Sequence, residues 1–259
     1  MVDHDVDYSS IDYNFSHILI TGNGDRLSRE LVERIVQEFP EAELTLLEIG
    51  VSGADTADGA CRVIRRERWT EGDSGLLYAA HYNQIFHLYD PSGAEAEHEE
   101  MFQALLEAAE AMGSLFLYCD RSLSDSGTAA HYGILDSYFS RYMDEHLTPA
   151  LALSLPLLYG DGTEGSDRML EALNGGALRL LHVEDALRFI MKAGVGHSSG
   201  KYSLGDGYFW SREAVEGEGG VSGRFIREGK DPEARAFMEE FRVEARRNPL
   251  DHFSEGELQ

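Results

Sequence analysis

Six short runs of consecutive apolar residues are interspersed with three helical patterns along the first 160 residues, and that order leaves few folds open. The runs are His17 to Thr21 (HILIT), Leu44 to Glu48 (LTLLE), Cys61 to Ile64, Ile85 to Leu88 (IFHL), Leu115 to Cys119 and Ala150 to Leu158. They lack the apolar/polar alternation of a strand with one wet face, so they read as strands covered on both sides. Between them, Leu27, Leu31, Val32, Ile35, Val36 and Phe39 recur at helical spacing until Pro40. Glu95 to Met112 places Met101, Leu105, Ala108 and Met112 on one helical face, and Gly113 follows where a helix stops. Thr128 to His146 carries Tyr132, Leu135, Phe139, Tyr142 and Met143 on one side. Doubly covered strands separated by helices predict an α/β, Rossmann-like, doubly wound parallel sheet of six or seven strands.

Beyond Gly160 the pattern loosens. Helices are expected near Ser166 to Leu173, at Val183 to Met191 and, highly charged, at Pro232 to Arg246. A short strand is expected at Lys201 to Leu204 and a Gly-rich stretch runs from Gly217 to Gly223. The organisation expected is a polar leader at 1–16, one α/β domain at 17–205 and a C-terminal elaboration at 206–259 packed on the same domain.

Charge narrows the partners. The chain has 22 basic and 47 acidic residues, a formal −25, and its only lysines are Lys192, Lys201 and Lys230. Such a field repels phosphate backbones and anionic lipid, so no nucleic acid and no membrane partner is expected. A Lys-poor acidic surface suits a salt-rich cytoplasm or a basic partner equally. Cys61 and Cys119 read as buried reduced thiols. With no run long enough to span a membrane and no basic-then-apolar start, a cytoplasmic protein is expected.

In a doubly wound sheet, ligands sit at the carboxyl ends of the strands. The expected crevice is lined by 22–25, Glu48, 88–91, 119–124, Tyr132 and 157–160. The residues there carry a likeness. Thr21 and Gly22 end the first strand, ELVER occupies Glu30 to Arg34, and FHLYD (Phe86 to Asp90) stands where an HLAA strand end is found. Tyr132 and Gly133 lie in the third long helix, LPLLYGDG (Leu155 to Gly162) replaces VYGPG, and LLHVEDAL (Leu180 to Leu187) replaces an HVDD segment. In these motifs, over about residues 17 to 205, the chain resembles the extended short-chain dehydrogenase/reductase family of NAD-dependent epimerases and dehydratases.

The resemblance implies a GxxGxxG phosphate turn, whose positions fall on Gly22, Asp25 and Ser28 when the LVER runs are aligned; sliding the loop by one residue puts Gly24 in the second slot. Asp25 sets a carboxylate where a phosphate would approach a helix N-terminus. Two anions ~4 Å apart at an effective dielectric near 20 repel by about 4 kcal/mol, roughly a thousandfold in affinity. Read on its own, Asp25 is a good helix N-cap. Glu48 matches the acidic residue that the resemblance assigns to the adenosine ribose. Reductase chemistry in the family needs Tyr and Lys four apart, the Lys lowering the Tyr pKa, plus a Ser or Thr after the fifth strand. Tyr132 matches, but its partner position is Asp136, and no Lys precedes Lys192. Ser122 or Ser124 could take the hydroxyl role, although Asp120 and Arg121 are foreign to that turn, and Ser154 replaces an Arg.

Three sites departing together point to a scaffold kept while its redox task is dropped. The expectation is a degenerate member with no cofactor, binding a small ligand or a protein partner, or having non-redox activity in a biosynthetic pathway. The alternative is an active NAD(P)-dependent oxidoreductase or sugar-nucleotide epimerase with a rearranged loop. If the crevice has been rebuilt, Asp25 and Asp136 should have partners such as Arg26, Arg121 or a cationic ligand. Ser122, Ser124, Ser126, His131 and Asp136 read as a polar loop capping a helix in preference to a nucleophile with its base, since no GxSxG elbow occurs. The ten His show no paired ligand spacing, and no metal is expected at His182, Glu184 and Asp185. The resemblance implies a homodimer built on two helices, with Met101, Leu105, Tyr138 and Tyr142 on the pairing faces.

Overall fold

The computed structural model describes residues 16–58, 61–88, 95–120, 129–160, 177–196, 198–217 and 220–249. The strands are β1 (His17–Gly22), β2 (Glu43–Ile49), β3 (Thr56–Asp58), β4 (Cys61–Arg66), β5 (Gln84–His87), β6 (Leu115–Asp120), β7 (Ala150–Ser154), β8 (Leu157–Tyr159), β9 (Leu178–His182), β10 (Gly200–Ser203), β11 (Tyr208–Gly217) and β12 (Gly220–Lys230). The helices are α1 (Arg26–Glu38), α2 (Glu95–Met112), α3 (Ala129–Glu145), α4 (Val183–Val195) and α5 (Pro232–Glu240), with a 3-10 helix at Glu71–Tyr78.

The main sheet has eight strands in the order β10-β7-β6-β5-β1-β2-β4-β3. Seven of them are parallel, and β3 closes one edge antiparallel to β4. The order reverses at β1, whose neighbours are β2 on one side and β5 on the other. That reversal opens a crevice at the carboxyl ends.

The central strands are apolar on both sides because each side has its own core. Ile18 and Ile20 point into a cluster with Leu31, Ile35, Phe189 and Phe237 from α1, α4 and α5. Leu19 points the other way, with Leu47, Ile85, Met101, Leu105 and Phe139 under α2 and α3. The two-residue period of a strand thus divides one apolar run between two cores.

Asp25 caps α1 by accepting from the Ser28 N–H at 3.0 Å. The chain leaves α1 at Phe39, and Pro40, which cannot donate to a continuing helix, follows. Asp231, fully buried, caps α5, with Pro232 in the first turn, and Arg179 Nε donates to it at 2.6 Å.

Two expectations need correction. Ala150 to Leu158 is not one strand: β7 ends at Ser154, and β8 joins a second, four-stranded sheet ordered β12-β11-β9-β8. The Leu155–Pro156 step makes the break, since Pro156 has no N–H for a central ladder. The charged C-terminal helix also stops early, at Glu240, and Arg242 has a φ of +52°. The second sheet was not expected at all. It is built largely from the hairpin of β11 and β12, which pairs through Phe209 and Trp210 with β9. This hairpin carries the chain to α5, which packs beside β10 at the crevice. The leader at 1–15, Ser166 to Leu173 and the Ser122 and Ser124 turn lie outside the described residues.

Met101, Leu105 and Tyr142, expected on a pairing face, are buried within the single chain. Cys119 is buried, Cys61 only partly so, and both are free thiols.

Candidate functional site

Two parts of the crevice can be described: the β1–α1 turn, and a pocket between α3 and the strand ends of β6, β7 and β10.

In the turn, Gly22 sits against Ser28; a Cβ there would lie 2.8 Å from the Ser28 Cβ. Ser28 therefore fills the close helix–strand contact where the resemblance expects glycine. Gly24 has a φ of +67°, a conformation glycine adopts without strain, and a Cβ there would meet Glu48 Oε1 at 2.7 Å. The Asp25 carboxylate accepts from both the backbone N–H (3.0 Å) and the hydroxyl (2.7 Å) of Ser28. Glu48 is buried at 2% exposure, and its carboxylate binds Arg65 Nε at 2.7 Å, with Arg29 Nε at 3.8 Å. Arg26 pairs with Glu30.

The pocket has a volume of about 510 Å³ and is walled by Tyr118, Tyr132, Asp136, Ser154, Lys201 and Glu233, among others. Tyr118 is 3% exposed, and its hydroxyl has no hydrogen-bond partner among the described residues. Burial above all, with smaller contributions from Asp120 and Tyr132, holds its proton well above the ordinary phenol range. It therefore stands in the pocket wall as a neutral donor. Tyr202 reaches Glu240 at 2.7 Å, and burial together with that carboxylate pushes its phenol up to about 12. Ser203 and Arg179 both donate to Glu233.

Asp136 requires a correction. Read along α3 alone, it faces Tyr132 with a bare negative charge. In the structure Lys201 ion-pairs with it and also donates to Ser140 Oγ at 2.7 Å. A cation thus shares the pocket with Tyr132, supplied by β10 and not by α3. Asp136 thus has Lys201 as a partner, and Arg121, one of the partners expected, lies outside the described residues.

His131 and Asp136 do not converge. His131 is buried and engages His98 (2.9 Å) and Glu99 (3.2 Å), while Asp136 is exposed at the pocket rim. His182, Glu184 and Asp185 are structural: His182 caps α4, Glu184 pairs with Arg247 at 2.9 Å, and Asp185 pairs with Arg188 at 2.8 Å. Among the described residues no His/Cys/Asp/Glu cluster could hold a metal, and no helix is long and apolar enough to cross a membrane. A larger groove, about 960 Å³, lies between the C-terminal ends of α1 and α4 and the segment after α5. It is away from the strand carboxyl ends, so topology favours the smaller pocket despite its size.

No family model matches the sequence, and no curated protein does. Solved structures do match. dTDP-glucose 4,6-dehydratase from Bacillus anthracis, in complex with NAD, superposes with a TM-score of 0.67 at 12% identity, over 90% of this chain and 92% of that one. UDP-N-acetylglucosamine 4-epimerase from Bacillus cereus gives 0.62 at 14%, over 90% and 94%. ADP-L-glycero-D-manno-heptose-6-epimerase from Helicobacter pylori gives 0.59 at 15%, over 78% and 80%. With the strand order, the crevice and these superpositions together, the chain has the fold of the NAD-dependent epimerases and dehydratases.

Proposed function

We propose that this chain uses the epimerase/dehydratase scaffold to bind a small polar ligand in the pocket beside Tyr118, Tyr132 and Lys201, without nicotinamide redox chemistry. The observation that carries this reading is Asp25. Its carboxylate takes the first-turn N–H of α1 that an incoming phosphate would use, and brings its own negative charge to that point. Glu48 supports it: the acid assigned by resemblance to a ribose is committed to Arg65 and lies against Gly24. The residues present therefore do not fit a pyrophosphate and its adenosine. The pocket remains suited to a ligand. A neutral buried phenol, a lysine and flanking carboxylates offer fixed donors and acceptors around an aromatic wall.

One observation favours the alternative, an NAD(P)-dependent oxidoreductase or epimerase with a rearranged loop: Lys201 shares the pocket with Tyr132. The two readings separate on titration of the wild-type chain with NAD(H) and NADP(H), and the double variant Asp25→Gly, Asp136→Lys separates a rebuilt crevice from one that has merely decayed. A rebuilt crevice predicts a lower melting temperature, from the lost cap and from two adjacent lysines, and no upshift with NAD(H) or NADP(H). An unchanged melting temperature with a dinucleotide-dependent upshift would overturn it.

A further inference from the structure

Behind the crevice a continuous line of buried polar groups joins four elements. Thr21 Oγ1 on β1 lies 2.6 Å from His87 Nδ1 on β5. His87 Nε2 lies 2.8 Å from His98 Nε2 on α2. His98 Nδ1 lies 2.9 Å from His131 Nε2 on α3, and His131 Nδ1 lies 3.2 Å from Glu99 Oε1, back on α2. Thr21, His87 and His98 are fully buried and His131 is 2% exposed, whereas the Glu99 side chain is 26% exposed. Thr21 and His87 are direct partners in the β1–β5 register, so adjacent strands aim both side chains at α2. The line thus runs from the crevice end of β1, one residue before the turn at Gly22, to a carboxylate that reaches solvent.

The line has a direction. An ionised carboxylate only accepts, so Glu99 takes its bond from His131 Nδ1–H. A neutral imidazole carries one proton, which leaves His131 Nε2 as acceptor for His98 Nδ1–H. His98 Nε2 then accepts from His87 Nε2–H, and His87 Nδ1 accepts from the Thr21 hydroxyl. Every ring gives one hydrogen bond and takes one along the line, with no donor facing a donor. The groups facing His87 and His98 are consistent with neutral rings: Tyr118 on β6 packs on His87 with ring centres 5.7 Å apart, and Phe102 flanks both, while Tyr132 on α3 packs on His131 at 5.3 Å. Burial holds His87 down to about 3 and His98 well below its ordinary value.

We propose that Thr21, His87, His98, His131 and Glu99 form a proton relay that carries a proton from the crevice end of β1 to the surface of α2. A proton that reaches Thr21 Oγ1 at the crevice end of β1 releases the hydroxyl's own proton to His87 Nδ1. His87 Nε2–H passes to His98 Nε2, His98 Nδ1–H to His131 Nε2, and His131 Nδ1–H to Glu99. One proton enters and one appears on Glu99 as the carboxylic acid, which gives it to water; every ring keeps one proton with its tautomer exchanged. The relay stands whichever ligand the crevice holds. Its residues lie at positions 21, 87, 98, 99 and 131, too far apart for any sequence spacing to show them.

Nitrogen-15 NMR of the histidine rings tests it on the intact protein. The wild type is expected to show His131 and His98 protonated at Nδ1 and His87 at Nε2. Glu99→Gln, nearly isosteric and partly exposed, removes the fixed acceptor while its amide can also donate. The preference for the Nε2–H form at His87 is then expected to fall about tenfold, the scale of one charge-assisted hydrogen bond, although His87 does not touch position 99. Wild-type rings with the opposite tautomers would overturn the relay, and so would a Glu99→Gln spectrum in which His131 shifts and His87 does not. A folded control is supplied by the melting temperature of the same sample.

Discussion

Lys201 on β10 forms an ion pair with Asp136 on α3, 65 positions away, and both line the crevice pocket. The pair brings to the pocket the cation that α3 lacks.

Asp136→Asn should leave stability within about 0.5–1 kcal/mol of wild type, because the two side chains are 61% and 42% exposed and water screens their attraction. Denaturant unfolding measures this. A loss of several kcal/mol would mean that the pair is buried in solution.

Glu48 behaves differently. Its carboxylate is 3% exposed and held by Arg65 at 2.7 Å, with Arg29 more distant at 3.8 Å. Arg65→Ala strips the near partner from a buried charge and should cost about 2–4 kcal/mol, most of which Glu48→Gln in the same chain should restore. Chemical denaturation of the single and double variants checks both steps, and an additive result would contradict the coupling.

The fold was legible in the sequence because strands covered on both faces and helices with one apolar stripe each leave a local periodicity, as at His17 to Thr21 and Leu27 to Phe39. The Asp25 cap was legible for the same reason, since it acts three residues away. Lys201 and the histidine line were not. Their partners come together only through the strand order, and Lys201 sits on the last strand to join the sheet. The second sheet was hidden because Leu157 to Tyr159 continues the apolar run of β7 without a change of composition, and only Pro156 marks the break.

The buried histidines set an acid limit. Unfolded, each takes a proton near 6.5; folded, His87 does so only at about 3 and His98 well below 6.5. A base with a depressed folded pKa gives its full stability above 6.5 and loses it as the pH falls. Each of the two rings should therefore take about 1.4 kcal/mol of stability per pH unit below 6.5, offset in part below about 6 by Asp206. Urea unfolding at pH 7, 6 and about 5 measures the slope, and equal stability at all three would contradict neutral buried rings.

Asp206 carries the opposite sign. It accepts from Trp210 Nε1 at 2.8 Å and from the Tyr208 N–H at 3.1 Å, yet burial raises it from 3.8 to about 6. The folded state then holds more protons than the unfolded one between those values, so stability falls as the pH rises through that window and is constant above it. Asp206→Asn keeps one acceptor oxygen without the charge, and should hold or raise stability at pH 7 while flattening a slope of about 1.4 kcal/mol per unit. A variant markedly less stable than wild type at pH 7 would show that the ionised carboxylate is needed.

In the reading proposed above, the β1–α1 turn, with Asp25 on the α1 N-terminus and Glu48 against Gly24, does not accept a dinucleotide. Isothermal titration of the purified full chain with NAD, NADH, NADP and NADPH addresses it directly. The account predicts no saturable heat with any of the four at millimolar ligand. Micromolar binding of any one would contradict it and restore the oxidoreductase reading.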